Sequence, residues 1–64
     1  MEIRVRFQDD SNGIGWTYYD HKRGGWQPCG GKDPDVVPDI DDLICDSAIG
    51  GMTIEETDTI TVED

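Results

Sequence analysis

Charge is distributed very unevenly along this chain, and that constrains its folding more than any other feature. Residues 1–32 hold all 5 lysines and arginines together with four acids, which gives this half a formal charge of +1. Residues 33–64 hold eleven acids and no base, and the whole chain has a formal net charge of −10 at pH 7. Like charges on a compact surface repel each other and lower stability. The second half therefore has to fold against its own charge.

Apolar residues interspersed among these acids predict that the acidic half folds, because disordered acidic tails are poor in such residues. They are Val36, Val37, Ile40, Leu43, Ile44, Ile49, Met52, Ile54, Ile60 and Val62. The chain has 64 residues, which is enough for one small core. We predict a single domain over residues 1–64, made of a basic and aromatic hairpin half (1–32) and an acidic helix–strand half (33–64).

Residue patterning in the first half predicts three strands. Apolar and polar residues alternate over 2–8, as in a half-buried strand. A turn over 9–13 contains Asn12-Gly13, a pair that accepts positive φ, and the aromatic-rich segment 14–20 favours a second strand. Residues 26–27 fit a short third strand before Pro28.

The second half has one helix candidate, at residues 39–48. Ile40, Leu43 and Ile44 form an apolar stripe at helical spacing, and Gly50-Gly51 is a helix-ending signal. Residues 52–55 and 59–63 resemble strands, either as a hairpin with a turn at 56–58 or as one bulged strand. The predicted fold class is α+β: a small antiparallel sheet of three to five strands with one helix packed on one face.

Motifs for catalysis and cofactor binding fail when their spacing is checked. The glycine-rich segment 25–33 departs from a phosphate-binding loop by one residue and places Asp33 where a hydroxyl should bind magnesium. Neither acidic stretch matches a calcium-binding loop. His21 and Cys29 form a nucleophile pair only if folding brings them together. We therefore expect no enzyme activity, no cofactor and no dedicated metal site.

Cysteine usage and hydropathy favour a cytoplasmic protein. Cys29 and Cys45 are either two reduced thiols or one disulfide, and the sequence leaves both states open. No window approaches the ~20 apolar residues of a membrane span. The first six residues alternate apolar and charged side chains, unlike a secretory signal. We expect no direct nucleic-acid or membrane partner, because both would repel the net charge.

Aromatic residues cluster in the predicted strand region, where Trp16, Tyr18, Tyr19 and Trp26 lie close in sequence to several bases. We expect them to be divided between the core and one sheet face. The alternative is that they stack on single-stranded bases.

Carboxylates of the second half are predicted to form a partner-binding surface. On a helix, Asp39, Asp42 and Asp46 group on one exposed side and Asp41 lies away from them. Acids four residues apart on a helix lie ~6 Å apart, a spacing that a row of lysines and arginines evolved for phosphates can read. The candidate partner-binding residues are Asp33, Asp35, Asp39, Asp42, Asp46, Glu55, Glu56 and Asp58.

In overall character this chain resembles phage-encoded inhibitors of bacterial defence, namely anti-CRISPR proteins and anti-restriction DNA mimics. The shared features are very small size, strong acidity, an α+β pattern and the lack of a catalytic motif. The resemblance implies an inhibitor that blocks the basic DNA groove of a CRISPR–Cas surveillance complex, a type I complex for example, or of a similar defence nuclease. A phage-encoded inhibitor would act in the cytoplasm of the host bacterium.

A second resemblance is to the opening of a ubiquitin-like β-grasp module. Residues 1–7, followed by a hairpin and a helix, carry it. Conjugated and sulfur-carrying members end in Gly-Gly, whereas this chain ends Thr61-Val62-Glu63-Asp64. The resemblance therefore implies a small protein–protein interaction module.

Overall fold

Four strands and one helix make up the computed structural model of the protein, which describes residues 1–63. The elements are β1 (Glu2–Asp10), β2 (Gly13–Asp20), β3 (Gly25–Pro28), α1 (Ile40–Ile49) and β4 (Thr59–Glu63). They form a sheet in the order β3-β2-β1-β4. The α+β class with a small sheet and one helix is confirmed.

The sheet is mixed, whereas the sequence predicted an antiparallel one. β1 pairs with β2 and β2 with β3 in antiparallel fashion, but β4 runs parallel to β1. A parallel neighbour needs a long crossover connection, usually through a helix. Here the chain returns to β1 after β3 and α1, so β4 arrives in the same direction as β1.

The β1–β2 hairpin is longer than predicted, because pairing continues to Asp10 and Gly13. The turn is reduced to Ser11 and Asn12, where we predicted a turn over residues 9–13. Asp10 Oδ1 accepts the backbone N–H of Asn12 at 2.8 Å. This hydrogen bond satisfies a backbone N–H within the two-residue turn, and strand pairing continues up to the turn on both sides.

The core lies between one sheet face and α1. Ile3 and Val5 are fully buried on β1, and Trp16 and Tyr18 lie beside them on β2. Leu43, at 0% exposure, is the helix residue that packs most deeply into this cluster. The alternation of apolar and polar residues along β1 therefore predicted its buried side chains correctly, since alternate side chains face the same side of a sheet.

Glycines end α1 in the way the sequence predicts. Gly51 has a φ of 80°, and its N–H donates to Ala48 O at 3.2 Å. The N–H of Met52 donates to Ser47 O at 3.1 Å, which completes a Schellman motif. The chain is thereby turned back so that Met52 enters the core.

We expect Gly51→Ala to lower the free energy of unfolding by about 1 kcal/mol, because a side chain in the left-handed region is strained. An added Cβ at this position meets no atom within 4 Å, so steric overlap does not contribute. Gly31→Ala is the matched control, since that position is equally open and its φ lies outside the strained region. Urea unfolding measures both, and equal midpoints would contradict the prediction.

Residues 52–55 form no strand, so neither the hairpin nor the bulged strand predicted for the C-terminal segment occurs. Met52 and Ile54 are two residues apart, so an extended segment points both side chains the same way, and both enter the core. β4, over Thr59–Glu63, occupies the free edge of β1 instead.

Candidate functional site

Two of the candidate acids begin helix α1. Asp39 is the N-cap, and its Oδ1 accepts the N–H of Asp42 at 3.0 Å. Asp42 Oδ2 in turn accepts the N–H of Asp39 at 3.3 Å, which completes a capping box. Both residues are exposed, so each carboxylate is held in place by the backbone and still faces solvent.

The loop before the helix presents Asp33 and Asp35, which are both exposed. Asp33 Oδ1 accepts the N–H of Asp35 at 2.9 Å. The backbone carbonyl of Asp33 also accepts the indole N–H of buried Trp16 at 2.8 Å. The loop is thus tied to the sheet, and its acids have fixed positions.

The turn between α1 and β4 presents Glu55, Glu56 and Asp58. Glu55 and Glu56 are exposed, whereas Asp58 is half-buried. Asp58 Oδ2 accepts the N–H of Glu55 at 2.9 Å, and its Oδ1 accepts the N-terminal ammonium of Met1 at 2.7 Å. These donors lower the pKa of Asp58, the Glu55 N–H acting most strongly. Asp58 therefore orders the turn, and its charge is already paired.

Of the three helix acids predicted to group on one exposed side, Asp39 and Asp42 are linked by the capping box and are exposed, whereas Asp46 is not fully exposed. Asp46 is half-buried, and its charge, with that of Asp42, acts on the thiol of Cys29. Asp39 also lines an open depression together with Asp41 and Glu56. Near this end of the helix, Arg23 donates to the backbone carbonyl of Asp46 at 3.5 Å.

Sequence reasoning set Asp41 apart from the candidate surface, and the structure places it beside Glu56. The predicted helix and the observed helix have the same residue spacing, so spacing along the helix does not explain why Asp41 and Glu56 are neighbours. The turn at 55–58 brings Glu56 to the same depression as the start of the helix, and no local sequence pattern signals this placement. The exposed group around this depression is Asp39, Asp41 and Glu56, which we call the acidic rim.

A buried carboxylate outside the candidate set organises the opposite end of the helix. Asp20 is 0% exposed, and its Oδ1 accepts the backbone N–H groups of Lys22 and Arg23 at 2.9 and 3.0 Å. Its Oδ2 accepts the Tyr18 hydroxyl at 3.3 Å and lies 3.4 Å from Arg23 Nε. Burial by itself raises the pKa of Asp20, but these donors, led by the two backbone N–H groups, outweigh it and lower the pKa.

Both cysteines are free thiols. Cys29 is buried and Cys45 is exposed. Burial raises the pKa of Cys29 to about 12, and the charges of Asp46 and Asp42 act in the same direction. A reactive cysteine needs the opposite shift. Cys29 is therefore poorly suited to act as a nucleophile with the exposed His21.

The second sheet face carries the bases of β1 together with two of the aromatic residues. Trp26 and Tyr19 pack edge to face with centroids 5.6 Å apart. Arg6 lies 4.3 Å from the Trp26 ring centroid, and Arg4 lies 5.2 Å from that of Tyr19. Arg4 also makes a bidentate pair with Glu63. The aromatics are thus divided between the core and one sheet face, as predicted.

The described part of the chain, residues 1–63, contains no cluster of three or more potential metal ligands. None of the helices over the same residues is long and apolar enough to cross a membrane. Comparison of the chain with protein-family models, curated proteins and solved structures finds no match.

Proposed function

We propose that the protein binds a basic, nucleic-acid-binding protein through the carboxylates of its second half and thereby keeps DNA out of that partner's groove. The observation that carries the proposal is the exposure of these acids on backbone that is held in place. Several acids are exposed on segments whose backbone is held by hydrogen bonds. They are Asp33, Asp35, Asp39, Asp41, Asp42, Glu55 and Glu56.

Most of this charge has no internal counter-ion. Over residues 1–63, the acids that form ion pairs are Asp20, Asp58 and Glu63. The remaining carboxylates are therefore free to meet cations of a partner. The lysines and arginines of a basic groove can pair with these carboxylates as they do with phosphates, and salt weakens such pairing.

The partner class we propose is the surveillance complex of a CRISPR–Cas system, a type I complex for example, or a similar bacterial defence nuclease. An inhibitor of this kind would be phage-encoded and act in the cytoplasm of the host bacterium. It would need no enzyme activity and no cofactor, because occupancy of the groove is sufficient.

A mobility-shift competition tests this function. We expect the protein to displace a labelled target duplex from a purified type I surveillance complex, with an apparent affinity that falls at least tenfold between ~50 and ~200 mM salt. A restriction endonuclease bound to its own site serves as a second target. Failure to displace DNA from either target at low salt would contradict the proposal.

A small β-grasp-like interaction module is the second candidate. The order hairpin, helix and final strand beside β1 supports it, because it continues the pattern that the first residues suggest. The outer edge of β4 is also unpaired in residues 1–63, and partner strands can add to such an edge. A module of this kind would bind with little dependence on salt, which distinguishes it from a DNA mimic.

A further inference from the structure

Helix α1 and the segment that follows it border an open groove of about 280 Å³, and most of its lining residues are apolar. Its lining residues are Ile44, Ala48, Gly51, Met52, Thr53 and Ile54. Met52 and Ile54 are 3% and 6% exposed and form the floor. The groove exists because Ala48 contributes one methyl group to the wall and Gly51 has no side chain.

The size of the groove favours a side chain over a whole small molecule. Small-molecule sites usually have volumes of ~300–1,000 Å³ and enclose most of the ligand. The volume of this groove is slightly below that range, and the groove is open to solvent. One or two aliphatic side chains would fill it and would cover the exposed methyl group of Ala48.

Charge around the groove selects the kind of segment that can carry such a side chain. The acidic rim (Asp39, Asp41, Glu56) adjoins the groove through Ile40, which lies one helical turn before Ile44. Residues 33–64 contain no base. Arg23, which contacts Gly50 near the other end of the helix, is engaged by buried Asp20 at 3.4 Å. The complementary segment is therefore basic.

Resting on the proposed function, we infer that the groove holds one aliphatic side chain of the partner, presented by a short segment in which lysines or arginines flank it. The aliphatic group packs on Met52 and Ile54, and the flanking cations reach the acidic rim. The rim supplies long-range attraction, whereas the groove supplies specificity, because phosphates of DNA have no apolar counterpart for it.

Two synthetic peptides test the inference on the unaltered protein. One has a leucine flanked by three lysines on each side, and the other has serine in place of the leucine. We expect the leucine peptide to bind about tenfold more tightly in fluorescence anisotropy, since part of a leucine side chain leaves water. Methyl NMR should place the leucine-dependent shifts at Ile44, Met52 and Ile54.

A matched pair of variants locates the effect. Ala48→Trp places an indole that leans back over Ile44 and fills the groove. Ile49→Trp adds the same group at the next residue, which is 85% exposed and does not line the groove. We expect the preference for leucine to disappear in the first variant and to persist in the second.

Each failure has a distinct meaning. Equal affinities of the two peptides, with the same steep loss at high salt, would overturn the groove and leave the acidic surface in place. Binding of the leucine peptide with an affinity that does not fall at high salt would overturn the basic partner. Absence of binding by both peptides would overturn the inference, whereas the proposed function is judged separately by the DNA competition.

Discussion

Neutralising two residues of the acidic rim should weaken binding to the basic partner about 20-fold. The change is Asp41→Asn combined with Glu56→Gln, which removes two exposed carboxylates while keeping the shape of the side chains. Each lost contact with a partner cation costs about 0.9 kcal/mol in a partly desolvated interface. The readout is displacement of the labelled duplex from the surveillance complex at ~0.15 M salt.

Asp9→Asn combined with Asp10→Asn is the matched control, because it changes the net charge by the same amount. These residues end β1 at the hairpin, away from the turn at 55–58 that precedes β4. The asparagine at position 10 keeps an oxygen for the N–H of Asn12, the contact that Asp10 makes at 2.8 Å. We expect less than a twofold change in this variant. Equal losses in both variants would mean that net charge acts without a localised surface.

Within the acidic rim, Asp41 and Glu56 are better targets than the helix acids that the sequence suggested. Asp39 and Asp42 cap the helix, so their replacement changes both charge and stability. Asp46 is half-buried, and its backbone carbonyl accepts Arg23. Asp41 and Glu56 make no hydrogen bond through their side chains within residues 1–63, so their replacement reports on charge.

Asp20→Asn should lower the free energy of unfolding at pH 7 by about 2–3 kcal/mol. The amide keeps one acceptor oxygen but loses the charge that Arg23 Nε faces at 3.4 Å. Arg23 then holds the end of α1 less firmly, and this helix has no base of its own in its last turn. Domains of this size have a free energy of unfolding of roughly 3–10 kcal/mol, so the loss is large. Urea unfolding gives the difference, with the exposed Asp9→Asn as control.

The pH dependence of the same pair provides a second test. The pKa of Asp20 is lower in the folded protein than its usual value, so folding favours the ionised carboxylate. The stability that it contributes is present above the ordinary aspartate pKa of about 3.9 and is lost as the pH falls through the lower, folded value. We expect the gap between wild type and Asp20→Asn to shrink as the pH falls below the ordinary aspartate pKa of about 3.9. An unchanged gap would assign the effect to packing alone.

Local patterning predicts much of this fold. Alternation along β1 identifies Ile3 and Val5 as buried, and the i, i+3, i+4 stripe places α1 and its deepest residue, Leu43. The glycines after the helix end it as predicted, because Gly51 takes a φ that other residues adopt at a cost. These features depend on residues that are close in sequence, so local sequence is enough to determine them. The uneven charge of the two halves also follows from the sequence alone.

Contacts between distant segments decided the rest. The parallel pairing of β4 with β1 depends on where the chain returns after the helix, and β1 has an open edge there. Burial of Asp20 depends on Arg23 and Tyr18 closing around it. The acidic rim forms because the turn at 55–58 brings Glu56 to the depression that Asp39 and Asp41 line. Hydrophobic burial and hydrogen bonding act across space, so which acids become neighbours was fixed by the tertiary structure alone.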